Sequence, residues 1–203
     1  MRSDNFRGKY TKSGFIGRLL LNHFFNCVKE LIQYCNPQIN RVLEVGVGEG
    51  FSTERIKTTL AHHVNFEASE FHTNLVKIAA GRNPQVKVQQ ESVYELNRED
   101  DSFDLVICLE VLEHLDNPSL ALRELSRVSR SYVIISVPRE PIWRILNLMR
   151  GKYISNFGNT PGHIQHWSAR KIRSFVSPWF NMVAIRTPLP WTLLLLKPLK
   201  CQV

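Results

Sequence analysis

The stretch Val42-Leu43-Glu44-Val45-Gly46-Val47-Gly48-Glu49-Gly50-Phe51-Ser52 narrows what this chain can fold into more than any other. It reads as a short apolar strand, a turn with glycine at 46, 48 and 50, and the opening of a helix. Without Cβ atoms the backbone can take positive φ and pass close to a ligand. A strand, a glycine-rich turn and a helix N-terminus together make the nucleotide-binding corner of an open α/β sheet. The dinucleotide fingerprint G-x-G-x-x-G is not met, because the third glycine comes one residue early and Phe51 stands where that pattern needs glycine.

Read as E-x-G-x-G-x-G, Glu44 to Gly50 resembles motif I of the class I S-adenosylmethionine-dependent methyltransferases. The resemblance implies that Gly46, Gly48 and Gly50 wrap the methionine end of S-adenosylmethionine and that Glu44 helps hold its ammonium group. A second strand is predicted at residues 64–68, followed by Ser69-Glu70-Phe71. An acid about 20 residues past the last glycine is placed to accept hydrogen bonds from both ribose hydroxyls. Glu70 fills that role with Phe71 beside it, as in the family's motif II, whereas Glu67 points along the strand body. A third strand, residues 85–90, leads to Glu91-Ser92-Val93. There the family holds adenine, commonly with an Asp; here Ser92 takes the aligned position next to Val93, and Glu91 precedes it.

Residues 101–108 (Asp-Ser-Phe-Asp-Leu-Val-Ile-Cys) read as a turn and a short apolar fourth strand, the pattern of a strand covered on both faces. Leu109-Glu110-Val111-Leu112-Glu113-His114-Leu115 then resembles motif IV of small-molecule methyltransferases of the ubiquinone and menaquinone type. It implies that Leu109 lies near the adenosine and the sulfonium. The resemblance covers residues 41–137 and brings an architecture with it: a Rossmann-like, doubly wound α/β sheet of seven strands in the order 3-2-1-4-5-7-6, the last strand antiparallel.

Around that centre the periodicity predicts helices over 14–35 (stopped by Asn36-Pro37), 52–60, 118–128 and 169–176, the last capped by Ser168. Further strands are expected at 41–45, 132–137, 181–187 and 191–196. Ser129-Arg130-Ser131 stands where the family has a Pro-Gly-Gly turn, which implies a shorter connection. One domain over 1–203 is expected, with a helical cap (1–36), a cofactor-binding core (37–137), a lid or substrate insert (138–167), and a terminal helix and hairpin (168–203).

Charge is unevenly placed. Residues 139–203 hold ten Lys/Arg and one acid, while residues 21–138 hold eleven Lys/Arg and sixteen acids. A basic last third suits an anionic partner: a small acid, nucleic acid or a membrane surface. No signal peptide is visible in residues 1–13, and no apolar run reaches the ~20 residues that span a bilayer. Cysteines 27, 35, 108 and 201 form no C-x-x-C pair. These features lead to the expectation of a cytoplasmic chain with reduced thiols and no metal site.

An activated methyl on a sulfonium asks mainly for positioning. Where the nucleophile is a hydroxyl or an acidic carbon, a general base helps. The candidates are His114, His163 and His166, with Glu110 and Glu113. Arg139 and Arg144 offer paired donors to a carboxylate or phosphate, and Trp143 and Trp167 offer rings for stacking. No Asn-Pro-Pro-Tyr signature follows strand 4, where amino-directed enzymes hold a planar nitrogen. The resulting expectation is methyl transfer to an oxygen or carbon of a small molecule, anionic or lipid- or quinone-like. An RNA methyltransferase and a non-catalytic cofactor-binding member are the alternatives.

Overall fold

The computed structural model describes residues 14–35 and 39–200. In chain order the elements are α1 (Phe15–Tyr34), β1 (Arg41–Val45), α2 (Phe51–Lys57), β2 (Asn65–Glu70), α3 (Thr73–Arg82), β3 (Lys87–Gln90) and β4 (Phe103–Leu109). There follow α4 (Pro118–Val128), β5 (Ser129–Pro138), α5 (Ile142–Met149), α6 (Ala169–Val176), β6 (Phe180–Arg186) and β7 (Trp191–Pro198). The sheet order is β3-β2-β1-β4-β5-β7-β6, with β7 antiparallel to both neighbours. This is the Rossmann-like architecture the resemblance implies.

Strand alternation divides the core in two. Val42, Leu105, Ile107, Leu193 and Leu195 face one side, where α1, α2 and α3 bring Val28, Ile56 and Ala79. Leu43, Val106, Cys108, Leu194 and Leu196 face the other, where α4 and α6 bring Leu122, Leu125 and Ile172. The run Leu193 to Leu196 is therefore part of a strand that is buried from Trp191 through Leu196. Among the described residues no helix is long and apolar enough to cross a membrane.

Several expected boundaries move. α1 begins to pack only at Leu20, and Phe15 and Leu19 before it are exposed. The Asn36-Pro37 stop and Cys201 lie outside the described residues. α2 ends at Lys57 rather than residue 60. β2 runs on to Glu70, because Ser69 and Glu70 pair with Gln89 and Gln90 of β3. Ser129 to Ser131 form no turn at all. They are the start of β5, where Ser129 pairs with Phe103 before a bulge resets the register at Leu105. The insert, for which no helix was expected, contains α5. Its ends are pinned together by a bridge between Arg139 and Trp167.

Candidate active site

β1 pairs with β2 on one side and with β4 on the other. That reversal opens a crevice beyond the carboxyl ends of these strands, the usual ligand position in an open α/β sheet. The glycine loop lines it. Gly46, Gly48 and Gly50 have φ of 76°, 56° and 79°. A Cβ at Gly46 would meet Val111 Cγ2 at 2.5 Å, and one at Gly50 would meet Asn83 Nδ2 at 2.5 Å. The fold's own packing demands those two glycines. At Gly48 no protein atom lies within 4 Å of the Cβ position, so this side of the loop is open.

Glu70, at the end of β2, holds the loop. Its Oε2 accepts from Gly48 N at 2.9 Å and its Oε1 from His72 N at 3.0 Å. The competing acids are engaged elsewhere. Arg98 Nη1 lies 2.7 Å from Glu67 Oε2, and its Nε lies 3.0 Å from Glu91 Oε1. Phe71 is exposed, Ser92 Oγ accepts from Tyr94 N at 3.2 Å, and the Val93 side chain packs into the core near Leu96 and Phe103.

Glu44 lies beneath the loop, fully buried, and Thr53 Oγ1 donates to its Oε2 at 2.7 Å. Burial pushes its carboxyl from 4.5 up to about 7, against the opposing hydrogen bonds from Ser52 and Thr53. A raised carboxyl stabilises the fold fully below pH 4.5, and this contribution fades as pH climbs and is gone above about 7. Glu44→Gln keeps an oxygen for Thr53 and carries no charge. It is expected to remove up to about 3 kcal/mol of stability lost between about pH 4.5 and 7.5. Urea unfolding at both pH values reads this difference, and equal losses in the two proteins would exclude ionisation of Glu44.

On the other side of the crevice, Leu109 ends β4 and Glu110 adopts φ of 58°. An L-residue in that region pays ~1–2 kcal/mol, and three contacts hold it there. Its N donates to Ser136 Oγ at 3.0 Å, its Oε1 accepts from Ser136 Oγ at 2.9 Å, and its Oε2 accepts from Trp191 Nε1 at 2.8 Å. Ser136 and Trp191 were absent from the sequence reading, since nothing local in β5 or β7 marks them. The 3₁₀ turn Leu112–His114 follows.

His114 Nδ1 lies 2.9 Å from the carbonyl oxygen of Gly162. A carbonyl only accepts, so Nδ1 carries a hydrogen, and in the neutral ring the lone pair is on Nε2. Glu113 Oε1 lies 4.0 Å from that Nε2. The insert sits on this turn: Ile164 N and Gln165 N donate to the Glu113 carbonyl at 2.9 and 3.0 Å. His163 meets His114 edge-on at 4.9 Å and stacks on Trp143 at 5.7 Å. Glu113, His114 and His163 thereby bring three donor atoms within 4.8 Å of one another, a set able to take a cation. The expectation of no metal site rested on local spacings, which cannot register donors from separate segments.

The remaining candidates divide. His166 Nε2 bonds Asn159 Oδ1 at 3.0 Å, and burial, with Arg144 nearby, lowers its pKa. Arg139 Nε is buried without a hydrogen-bond partner among the described residues. Arg144 pairs with Glu140 at 3.6 Å. Trp143 Nε1 donates to Thr160 Oγ1 at 2.9 Å. Trp167 is not with this cluster, and packs instead in the core against Phe175 at 4.6 Å.

Residues 43–136 match the family described as "Methyltransferase domain". A probable S-adenosylmethionine-dependent methyltransferase of Mycobacterium tuberculosis is 30% identical over 118 residues, which is 57% of this chain and 42% of the relative. A ubiquinone biosynthesis O-methyltransferase of Hahella chejuensis is 30% identical over 92 residues, 44% of this chain and 39% of the relative. The chain thus spans about 40% of the length of these curated relatives. Among solved structures, the PH0226 protein of Pyrococcus horikoshii superposes with a TM-score of 0.71 at 13% identity, covering 96% of this chain and 97% of that one. Magnesium protoporphyrin IX methyltransferase from Synechocystis, solved with bound SAH, superposes with a TM-score of 0.66 at 18% identity over 92% and 89%.

Proposed function

We propose that this chain is a class I S-adenosylmethionine-dependent methyltransferase, and that it methylates an oxygen or carbon of a small molecule with His114 as general base. The cofactor supplies a methyl group on a sulfonium. The residues present suit it: Gly48 leaves the loop face open, and Glu70 offers a carboxylate at the end of β2. Glu44 beneath the loop suits the ammonium group, and Leu109 borders the sulfonium side.

The observation that carries the reading is the His114–Gly162 contact. It selects, in the neutral ring, the tautomer whose Nε2 lone pair can take a proton, which is what abstraction from an acceptor requires. Glu113 Oε1 lies 4.0 Å from that nitrogen. Residues 162–165, bonded to the Glu113–Leu115 turn, act as a lid that keeps water from the acceptor. His163 and Trp143 form its inner wall, and Arg139 receives a carboxylate or other anion of the acceptor. We read residues 1–203 as one domain with this insert as its lid. Catalysis in the cytoplasm is consistent with the free thiols of Cys27, Cys35 and Cys108.

The test is transfer of a labelled methyl from S-adenosylmethionine to a panel of phenols, quinols, enols and hydroxy acids. Incorporation into one class is expected. A protein that binds S-adenosylhomocysteine and labels none of them, but labels RNA, would replace the small-molecule reading.

A further inference from the structure

We propose that the outer face of residues 145–157 docks on an anionic lipid surface. This stretch is built inside out. Ile145, Leu148, Met149, Tyr153, Ile154 and Phe157 are between 38% and 79% exposed. The polar groups point inward: buried Asn147 donates through Nδ2 to Gly158 O at 2.9 Å, and its carbonyl accepts from Lys152 N at 2.8 Å. Tyr153 and Phe157 hold φ of 55° and 49°, and Gly158 N donates to the Tyr153 carbonyl at 2.9 Å across the turn between them. Backbone strain of this kind persists only where the surroundings enforce it. Here it is spent on presenting two aromatic side chains to solvent. A contiguous apolar surface rimmed by polar groups marks an interaction site.

The charge selects the partner. Arg150 and Lys152 lie within the patch, exposed and without an ion pair among the described residues, and no Asp or Glu follows Glu140 in the chain. Two copies of this face would bring cations together with no acid to meet them. A nucleic acid would match the cations but leave Ile145, Leu148, Met149 and Ile154 in water. An anionic bilayer offers phosphate to the cations and acyl chains to the apolar groups at the depth that interfacial segments occupy.

The test is flotation of the full chain with vesicles of equal phosphatidylglycerol and phosphatidylcholine, and with phosphatidylcholine alone. The wild type is expected to float with the anionic vesicles and tenfold or more weakly with the neutral ones. Met149→Ser with Phe157→Asn is expected to cut the anionic partition at least tenfold, while the melting temperature holds or rises, because Asn tolerates left-handed backbone. Arg150→Glu with Lys152→Glu is expected to cut it further, each lost cation counting about fivefold near such a surface. Failure of the wild type to float overturns the proposal. So does a wild-type dimer in solution that the Met149/Phe157 variant dissolves, which would make this face a contact between copies.

Discussion

Glu70→Ala is expected to weaken S-adenosylhomocysteine binding by about thirty- to several-hundred-fold in calorimetry, equivalent to ~2–4 kcal/mol for charge-assisted bonds that do not fully add. Two effects combine. The ribose hydroxyls lose an acceptor at the end of β2, and the Gly48 and His72 N–H groups lose the carboxylate that now satisfies them. The second effect exists without ligand. A drop in the melting temperature of the unliganded variant therefore measures the loop clamp, and the further loss in affinity measures contact with the ribose. Unchanged affinity in a folded variant would move the cofactor away from β2 and remove the basis for assigning this crevice.

His114→Ala is expected to lower the methyl-transfer rate by about 10²- to 10⁴-fold, the usual worth of a positioned general base, while S-adenosylhomocysteine affinity stays within about twofold. His114→Gln separates two roles. Its amide can still donate to the Gly162 carbonyl and keep the insert seated, but it cannot take a proton. If Gln restores the rate that Ala loses, His114 acts by holding the lid, and transfer runs on orientation alone. If Gln is as slow as Ala, the proton step is real. The Glu113–His114–His163 donor set adds a control: the rate is to be measured with and without a chelator, so that loss of a bound cation is not read as loss of a base.

The glycine loop and the carboxylate that holds it were legible in the sequence because their determinants are local. Three glycines, the acid that precedes them and the acid after β2 sit at spacings fixed by one βαβ unit. Even there, β2 runs to Glu70 because β3 is present to pair with it, which a reading of residues 64–68 alone cannot see. The cluster around His114 was legible only as a set of residue types. His114 and His163 were candidates by chemistry, but their meeting depends on an insert that returns to the motif IV turn. α5 went unread although Pro141 precedes it and apolar residues recur through Ile142–Met149. The insert's aromatics and cations suggested a binding loop more strongly than its spacing suggested a helix. Trp143 and Trp167 were equivalent as sequence, and burial separates them: one stacks on His163, the other fills the core beside Phe175.

The bond from Trp191 to Glu110 makes this protein's competence a matter of timing. The glycine loop, β1, β2 and β4 are all encoded before residue 110, and Trp191 opens the final strand. In synthesis the residues of the glycine loop and Glu110 all precede by about eighty positions or more the indole that anchors Glu110. The same strand places Leu193 to Leu196 in both halves of the core, so a chain that ends before residue 191 would lose packing on each face of the sheet together with the anchor of Glu110.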